Sequence, residues 1–211
     1  WTAEEGRHAI VIRDYLTVTR AIDPVWLEDG RMAQLQSGQV PEPPSARHGF
    51  AYVTMQELAT RISHRNTGKL LGATDRAGYE VMARVATDEN HHFLFYRDMA
   101  TAALEVDPSG MMQAIADEVI GFAMPGTGIP GFAEHAKAIA KAEIYDLAVH
   151  HDQILVPIVL RHWDVEHVTG LDAEGEQARE RLLAYIAKSG RVAARLKERR
   201  QATDERESGS A

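Results

Sequence analysis

The sequence predicts an all-α fold, a bundle of helices, on three observations. Apolar residues recur at three- and four-residue spacing along most of the chain. The strict alternation expected of strands is scarce. Proline- and glycine-rich stretches such as SGQVPEPPSARHG and MPGTGIPG cut the chain into pieces of helix length.

Taken in order, residues 1–22 read as one helix that ends near Asp23-Pro24, and a shorter helix covers 26–36. After the proline-rich connection, 50–68 is helical and stops at Thr67-Gly68. A long helix follows from Asp75 to Val106, closed by the turn residues DPSG. The spacing then predicts helices over 111–122, 132–143 and 146–162, with a loop at 124–131. Residues 163–169 suit a short hairpin, and Asp172 is an N-cap for a last helix running to Arg200. The polar stretch 201–211 is expected to be disordered. The chain opens on Trp1 inside a helical pattern, which predicts further helices upstream.

Composition narrows the chemistry. The 211 residues suffice for one domain with a substantial core, and 45% of them are apolar. Cysteine is absent, so any metal must be held by histidine and carboxylate. A net charge of −8 argues against nucleic acid as a partner. No apolar run approaches the ~18 residues of a membrane span, and no secretion leader is visible, so a cytoplasmic protein without a membrane partner is expected.

The candidate site lies in ATDENHHFLFY, residues 86–96. Residues three or four apart share a helix face, so Val81, Val85, Glu89, His92 and Tyr96 form one stripe on the core side. His91 points elsewhere. The first helix repeats the pattern, with Trp1, Glu5, His8 and Ile12 on one stripe. An acid precedes each Glu-x-x-His, Glu4 before Glu5 and Asp88 before Glu89. On the intervening helix Glu57 shares a face with Val53 and Thr60. A buried, unpaired carboxylate costs several kcal/mol. One such motif is most simply a buried Glu–His pair. Two, with a third inward Glu, match the ferritin-like di-metal bundles, in which two helices give a Glu each and two give Glu-x-x-His. Two divalent cations would neutralise the four carboxylates of that pattern, and oxygen ligands with two imidazoles suit iron or manganese. The remaining Glu is expected on a helix before Trp1.

These residues resemble the soluble acyl-[acyl-carrier-protein] desaturases, and more closely the bacterial branch. WTAEEGRH is similar to that family's WTAEENRH, MQELATRISHRNT to its FQE-centred helix, and ATDENHH to its A-x-DE-x-x-H. RHWDVEHVTGLDAEGEQA also resembles a C-terminal stretch of the family. The resemblance runs from Trp1 to about Arg200 and implies a ferritin-like desaturase domain over 1–200, with additional C-terminal helices. It implies a centre of two iron ions, a homodimer, and an O2-dependent reaction that puts a cis double bond into a fatty acyl chain on acyl carrier protein. A ferredoxin-type protein would supply the electrons. By position, Glu5 and Glu89 resemble the bridging carboxylates, His8 and His92 the nitrogen ligands, and Glu57 a terminal carboxylate. Glu4 and Asp88 resemble acids that orient the histidines, Trp1 an aromatic beside them, and Thr60 the hydroxyl on the oxygen-binding side. Gly6 stands where Asn is common in the family, and His91 where Arg is.

Elsewhere the plain readings are preferred. His150-His151-Asp152 diverge around a helix, and His48, His64, His135, His162 and His167 are expected at the surface or paired locally. Phe93, Phe95 and Tyr96 suit packing. Arg191, Arg195, Lys197, Arg199 and Arg200 suit a solvated helix face, with an acidic partner protein as a secondary role. Another di-iron protein, for iron storage or different O2 chemistry, and a non-catalytic homologue or fragment both stay open.

Overall fold

The computed structural model describes residues 1–37, 42–126, 129 and 131–208. Its order is α1 Thr2–Val18, α2 Pro24–Ser37, α3 Ala46–Leu71, α4 Arg76–Val106, α5 Pro108–Ile120, α6 Phe132–Lys141, α7 Leu147–His150, a π-helix His151–His162, and α8 Ala173–Ser208. Among the described residues there is no strand. The bundle is all-α.

Short acidic and hydroxyl side chains start most of these helices, accepting from backbone N–H groups that have no partner inside the helix. Asp23 accepts from Val25 N at 2.8 Å, Asp75 from Gly78 N at 2.8 Å, Asp146 from Val149 N at 2.8 Å and Asp172 from Gly175 N at 2.8 Å. Asp107 does the same for Gly110 N at 3.0 Å, and Pro108 follows at the first helical position. DPSG therefore launches α5 directly from the end of α4 and is no separate loop. Gly68 is also no terminator. A Cβ there would meet Met82 Cβ at 3.1 Å, so its absence lets α3 and α4 close on each other within the helix body.

The 146–162 segment departs furthest from regularity. Past α7 it widens into the π-helix, with Trp163 N donating to Ile158 O at 2.8 Å, five residues back. Pro157 lies inside it, offers no N–H, and its ring would crowd the carbonyl of residue 153 in an α register. Residues 163–169 form a turn with Asp164 at φ 46° in place of the expected hairpin. α8 continues to Ser208, past the expected end at Arg200, and residues 209–211 lie outside the described set, as do four of the proline-rich connection and three of the 124–131 loop. Lys197 and Arg200, expected on a solvated face, pair with Asp152 and Asp146 and tie α8 to the π-helix and α7.

The apolar core lies between α3, α4, α5, the π-helix and α8, with Met55, Met111, Met112, Ile115, Leu155 and Leu182 fully buried. α1 lies across α4 at the flank of this core, and His8 is its one buried residue. That crossing makes the site.

Candidate metal centre

Three helices supply it. α1 brings Glu4, Glu5 and His8, α3 brings Glu57, Thr60 and His64, and α4 brings Asp88, Glu89 and His92. Glu57 is 0% exposed, Glu89 3% and His92 5%. Phe93 packs in the core while His91 is exposed, so the two histidines of ATDENHH part as their spacing predicts.

The two imidazoles are held in the same way, each by an acid on the other helix. His8 Nε2 lies 3.2 Å from Asp88 Oδ2, and His92 Nε2 lies 2.7 Å from Glu4 Oε2. Donation of Nε2–H to those acids leaves each Nδ1 as a lone pair facing inward. His92 Nδ1 faces Glu5 Oε1 at 3.1 Å, Glu57 Oε2 at 3.3 Å and Glu89 Oε2 at 3.7 Å. His8 Nδ1 faces Glu89 Oε1 at 3.3 Å and Glu5 Oε1 at 3.8 Å. Glu89 thus turns one oxygen to each histidine.

None of these inward contacts is a hydrogen bond. Glu5 Oε1, His8 Nδ1, Glu57 Oε2, Glu89 Oε2 and His92 Nδ1 are all buried without a hydrogen-bond partner. Five orphaned polar atoms in one place is far outside what protein interiors tolerate, unless a cation satisfies them. One atom each from Glu5, Glu57, Glu89 and His92 lies within 4.8 Å of the other three, the spacing of a shared ion's shell.

The acids split into two electrostatic sets. Burial and neighbouring Glu57 push the Glu89 carboxyl up to about 8. Burial likewise raises Glu57, and burial with the charge of Glu89 raises Glu5. The outer acids behave oppositely. The hydrogen bond to His92 holds Glu4 low. Burial would raise Asp88, but hydrogen bonds from Arg7 and His8 and the charge of Arg84 outweigh it. The inner carboxyls lack a positive partner that the outer ones already have.

Around this set, Trp1 Nε1 donates to Glu57 Oε1 at 2.9 Å, and the Trp1 ring meets Tyr96 edge-on at 5.4 Å between centroids. The Thr60 hydroxyl donates within α3, to Glu57 O at 2.9 Å, and lies beside the Glu89 carboxyl. His64, expected at the surface or paired locally, is partly exposed and reaches the edge of the cluster, with its Nε2 3.8 Å from Glu89 Oε1. Burial and nearby His8 push its ring down to about 4, so it is neutral. The signal was its place seven residues after Glu57, on the stripe that also holds Thr60.

The remaining histidines stay outside. His150 Nδ1 pairs with Tyr145 Oη at 2.7 Å and stacks on Phe122. His151 pairs with Asp152, His167 with Asp164 and His48 with Ser45, while His135 rests against Trp26 and His162 against Thr101.

A family model described as fatty acid desaturase matches residues 1–210. DesA1 of Mycobacterium tuberculosis, named an acyl-[acyl-carrier-protein] desaturase, is 41% identical over 194 residues, covering 88% of this chain and 56% of the relative. The chloroplastic stearoyl-[acyl-carrier-protein] 9-desaturase 6 of Arabidopsis thaliana is 31% identical over 211 residues, covering 94% of this chain and 53% of the relative. The X-ray structure of DesA2 from M. tuberculosis, named an acyl-ACP desaturase, superposes with a TM-score of 0.65 at 26% identity, covering 84% of this chain and 66% of that one. The chain spans about half the length of the curated relatives it matches. A match along nearly the whole chain, to relatives on the same fold, shows that it belongs to the fatty acid desaturase family.

Proposed function

We propose that this chain carries most of the metal-binding core of an O2-dependent acyl-[acyl-carrier-protein] desaturase, with Glu5, His8, Glu57, Glu89 and His92 holding a bridged pair of iron ions. The observation that carries this reading is the set of five buried donor atoms, from three helices, that have no hydrogen-bond partner. Their chemistry fits a hard divalent ion, with three carboxylates, two imidazoles and no sulfur. Bound iron would supply the O2 activation needed to break unactivated C–H bonds, which lies beyond side-chain acid–base chemistry.

The chain's own residues do the rest. Glu4 and Asp88 fix the tautomer of His92 and His8, keeping each Nδ1 unprotonated and turned inward. Arg7, at 2.8 Å from Asp88, holds that acid in place. Trp1 pins one oxygen of Glu57 and leaves the other for the ion. Thr60, whose hydroxyl lies beside the Glu89 carboxyl, is the catalytic residue of this reading, the hydroxyl on the oxygen-binding side.

The substrate in this reading is a fatty acyl chain on acyl carrier protein, as the names of the relatives state for those proteins. A ferredoxin-type donor, a homodimer and a cytoplasmic location complete it. No helix among the described residues is long and apolar enough to cross a membrane. The test is iron content per chain in the complete protein, followed by double-bond formation on acyl-carrier substrate with O2 and reduced ferredoxin. Two irons with double-bond formation are expected. Iron without desaturation would overturn the activity, and no iron would overturn the metal centre.

A further inference from the structure

From Arg181 to Lys197, α8 holds five basic residues and no Asp or Glu, in a chain whose net charge is −8. The structure divides the five. Arg181 pairs with Asp117 on α5 at 3.1 Å, and Lys197 with Asp152 on the π-helix. Lys188, Arg191 and Arg195 are exposed and make no ion pair or hydrogen bond with another described residue. Three and four residues apart, they share one face of α8 and span about 10 Å along it. Val192, 37% exposed, lies among them, four residues after Lys188 and three before Arg195.

We propose that Lys188, Arg191 and Arg195, with Val192 between them, form the docking surface for an acidic acyl carrier protein. The inference rests on the desaturase reading above and adds the place where the carrier sits.

Like charges one turn apart, such as Arg191 and Arg195, disfavour the helix that carries them, so their clustering serves something other than the fold. A chain of charge −8 repels an acidic partner at long range, and attachment needs a local patch of the opposite sign. The acid-free run of α8 is such a patch. An apolar residue ringed by cations suits a partner helix that shows acids around an apolar residue, because contact with Val192 excludes water while the charges set the register.

The position suits delivery as well. Gly190, on the same stretch of α8, closes on the π-helix, where a Cβ would meet His151 Nε2 at 2.9 Å. Gln153 of the π-helix accepts from Arg65 Nη2 at 3.0 Å, and Arg65 follows His64 at the edge of the donor cluster. The stripe therefore lies at the metal-bearing end of α3, with the π-helix between them. The start of α8 is elsewhere, against Ser109 beyond the end of α4.

The test measures binding of palmitoyl-acyl carrier protein to the complete protein by calorimetry across a range of salt. It compares Arg191→Glu/Arg195→Glu with Arg20→Glu/Arg161→Glu, since both pairs reverse two exposed arginines and shift net charge equally. The α8 pair should weaken binding at low salt by at least about tenfold and flatten its salt dependence, while the control pair changes it by less than about twofold. Arg191→Gln/Arg195→Gln, which adds no charge, should show a smaller loss in the same direction and decides the matter if the reversed pair folds poorly. Equal loss from both reversed pairs, or loss from neither, would overturn the docking surface and leave the desaturase reading intact. So would a loss of affinity for reduced ferredoxin, or for phosphatidylglycerol vesicles, with carrier binding unchanged. A wild type that binds no acyl carrier protein would overturn the desaturase reading, and this inference with it.

Discussion

Removing the charge of Glu89 should stabilise the metal-free chain while destroying its function. Glu89 is 3% exposed, and burial with Glu57 lifts its carboxyl from an ordinary 4.5 to about 8. At neutral pH the unfolded chain ionises this group, and folding must put a proton back on it. Taking up that proton about 2.5 pH units above the unfolded value costs about 3 kcal/mol. Glu89→Gln keeps the shape and never ionises, so it should recover about 1 to 3 kcal/mol of that cost. For a chain of this size that is a rise in Tm of about 3 to 10 °C. The assay is thermal unfolding by circular dichroism in EDTA, with wild type and Glu89→Gln side by side across pH. A raised carboxyl gives stability that is full below about 4.5 and is lost as pH climbs toward 8, so the gap between the two proteins should open over that window. With Fe2+ in anaerobic buffer the order should reverse, because only the wild type gains binding free energy. Glu89→Gln melting below wild type in EDTA at neutral pH would refute the reasoning.

Three further outcomes are expected. Glu89→Ala should abolish iron uptake, whereas His91→Ala should leave it nearly intact, read as iron per chain; equal losses would mean the two faces of α4 are misassigned. Asp88→Asn and Glu4→Gln should each weaken metal binding by about 10- to 100-fold without removing a donor, measured by competition with a chelator of known affinity. Gly78→Ala should lower Tm, although alanine favours a helix by about 1 kcal/mol. A Cβ at Gly78 would meet Tyr15 Oη at 2.5 Å and Leu71 Cδ1 at 2.9 Å, and Tyr15 is tied to Asp75, so the clash pushes α1 off α4.

How much of this was legible in the sequence depends on how local the signal is. Glu5, His8, Glu89 and His92 stood out because a charged residue on an apolar stripe violates the pattern of a buried face, and the violation repeats at the same spacing. Glu57 was legible only through its neighbours Val53 and Thr60 on that face. Asp107 was read rightly as the end of α4 but not as the start of α5, and Gly68 was misread as a stop, since a one-dimensional reading cannot tell a glycine that ends a helix from one that lets two helices touch. Pro157 lies inside the 146–162 stretch that the spacing predicts as a plain helix, and whether a helix kinks, breaks or widens at proline is settled by what packs around it. His64 was missed for a related reason. A single histidine carries no pattern, and only the approach of α4 turns its place on α3 into a contact with Glu89. The crossed pairing was likewise out of reach, since the motifs show an acid before each Glu-x-x-His but not which histidine it serves.

That crossing changes what α1 is. His8 is its one buried residue, so little apolar area holds the helix to the bundle. What joins it is polar: Glu4 to His92, His8 and Arg7 to Asp88, Tyr15 to Asp75. Had each acid served its own helix's histidine, α1 and α4 could separate with both pairs intact. With the acids exchanged, separation breaks both at once and strips the inward nitrogens of the partners that set their tautomers. Docking of α1 and assembly of the donor set are therefore one event. An ion held by both Glu5 and Glu89 would draw the same two helices together, so metal binding and helix docking would favour each other by linkage.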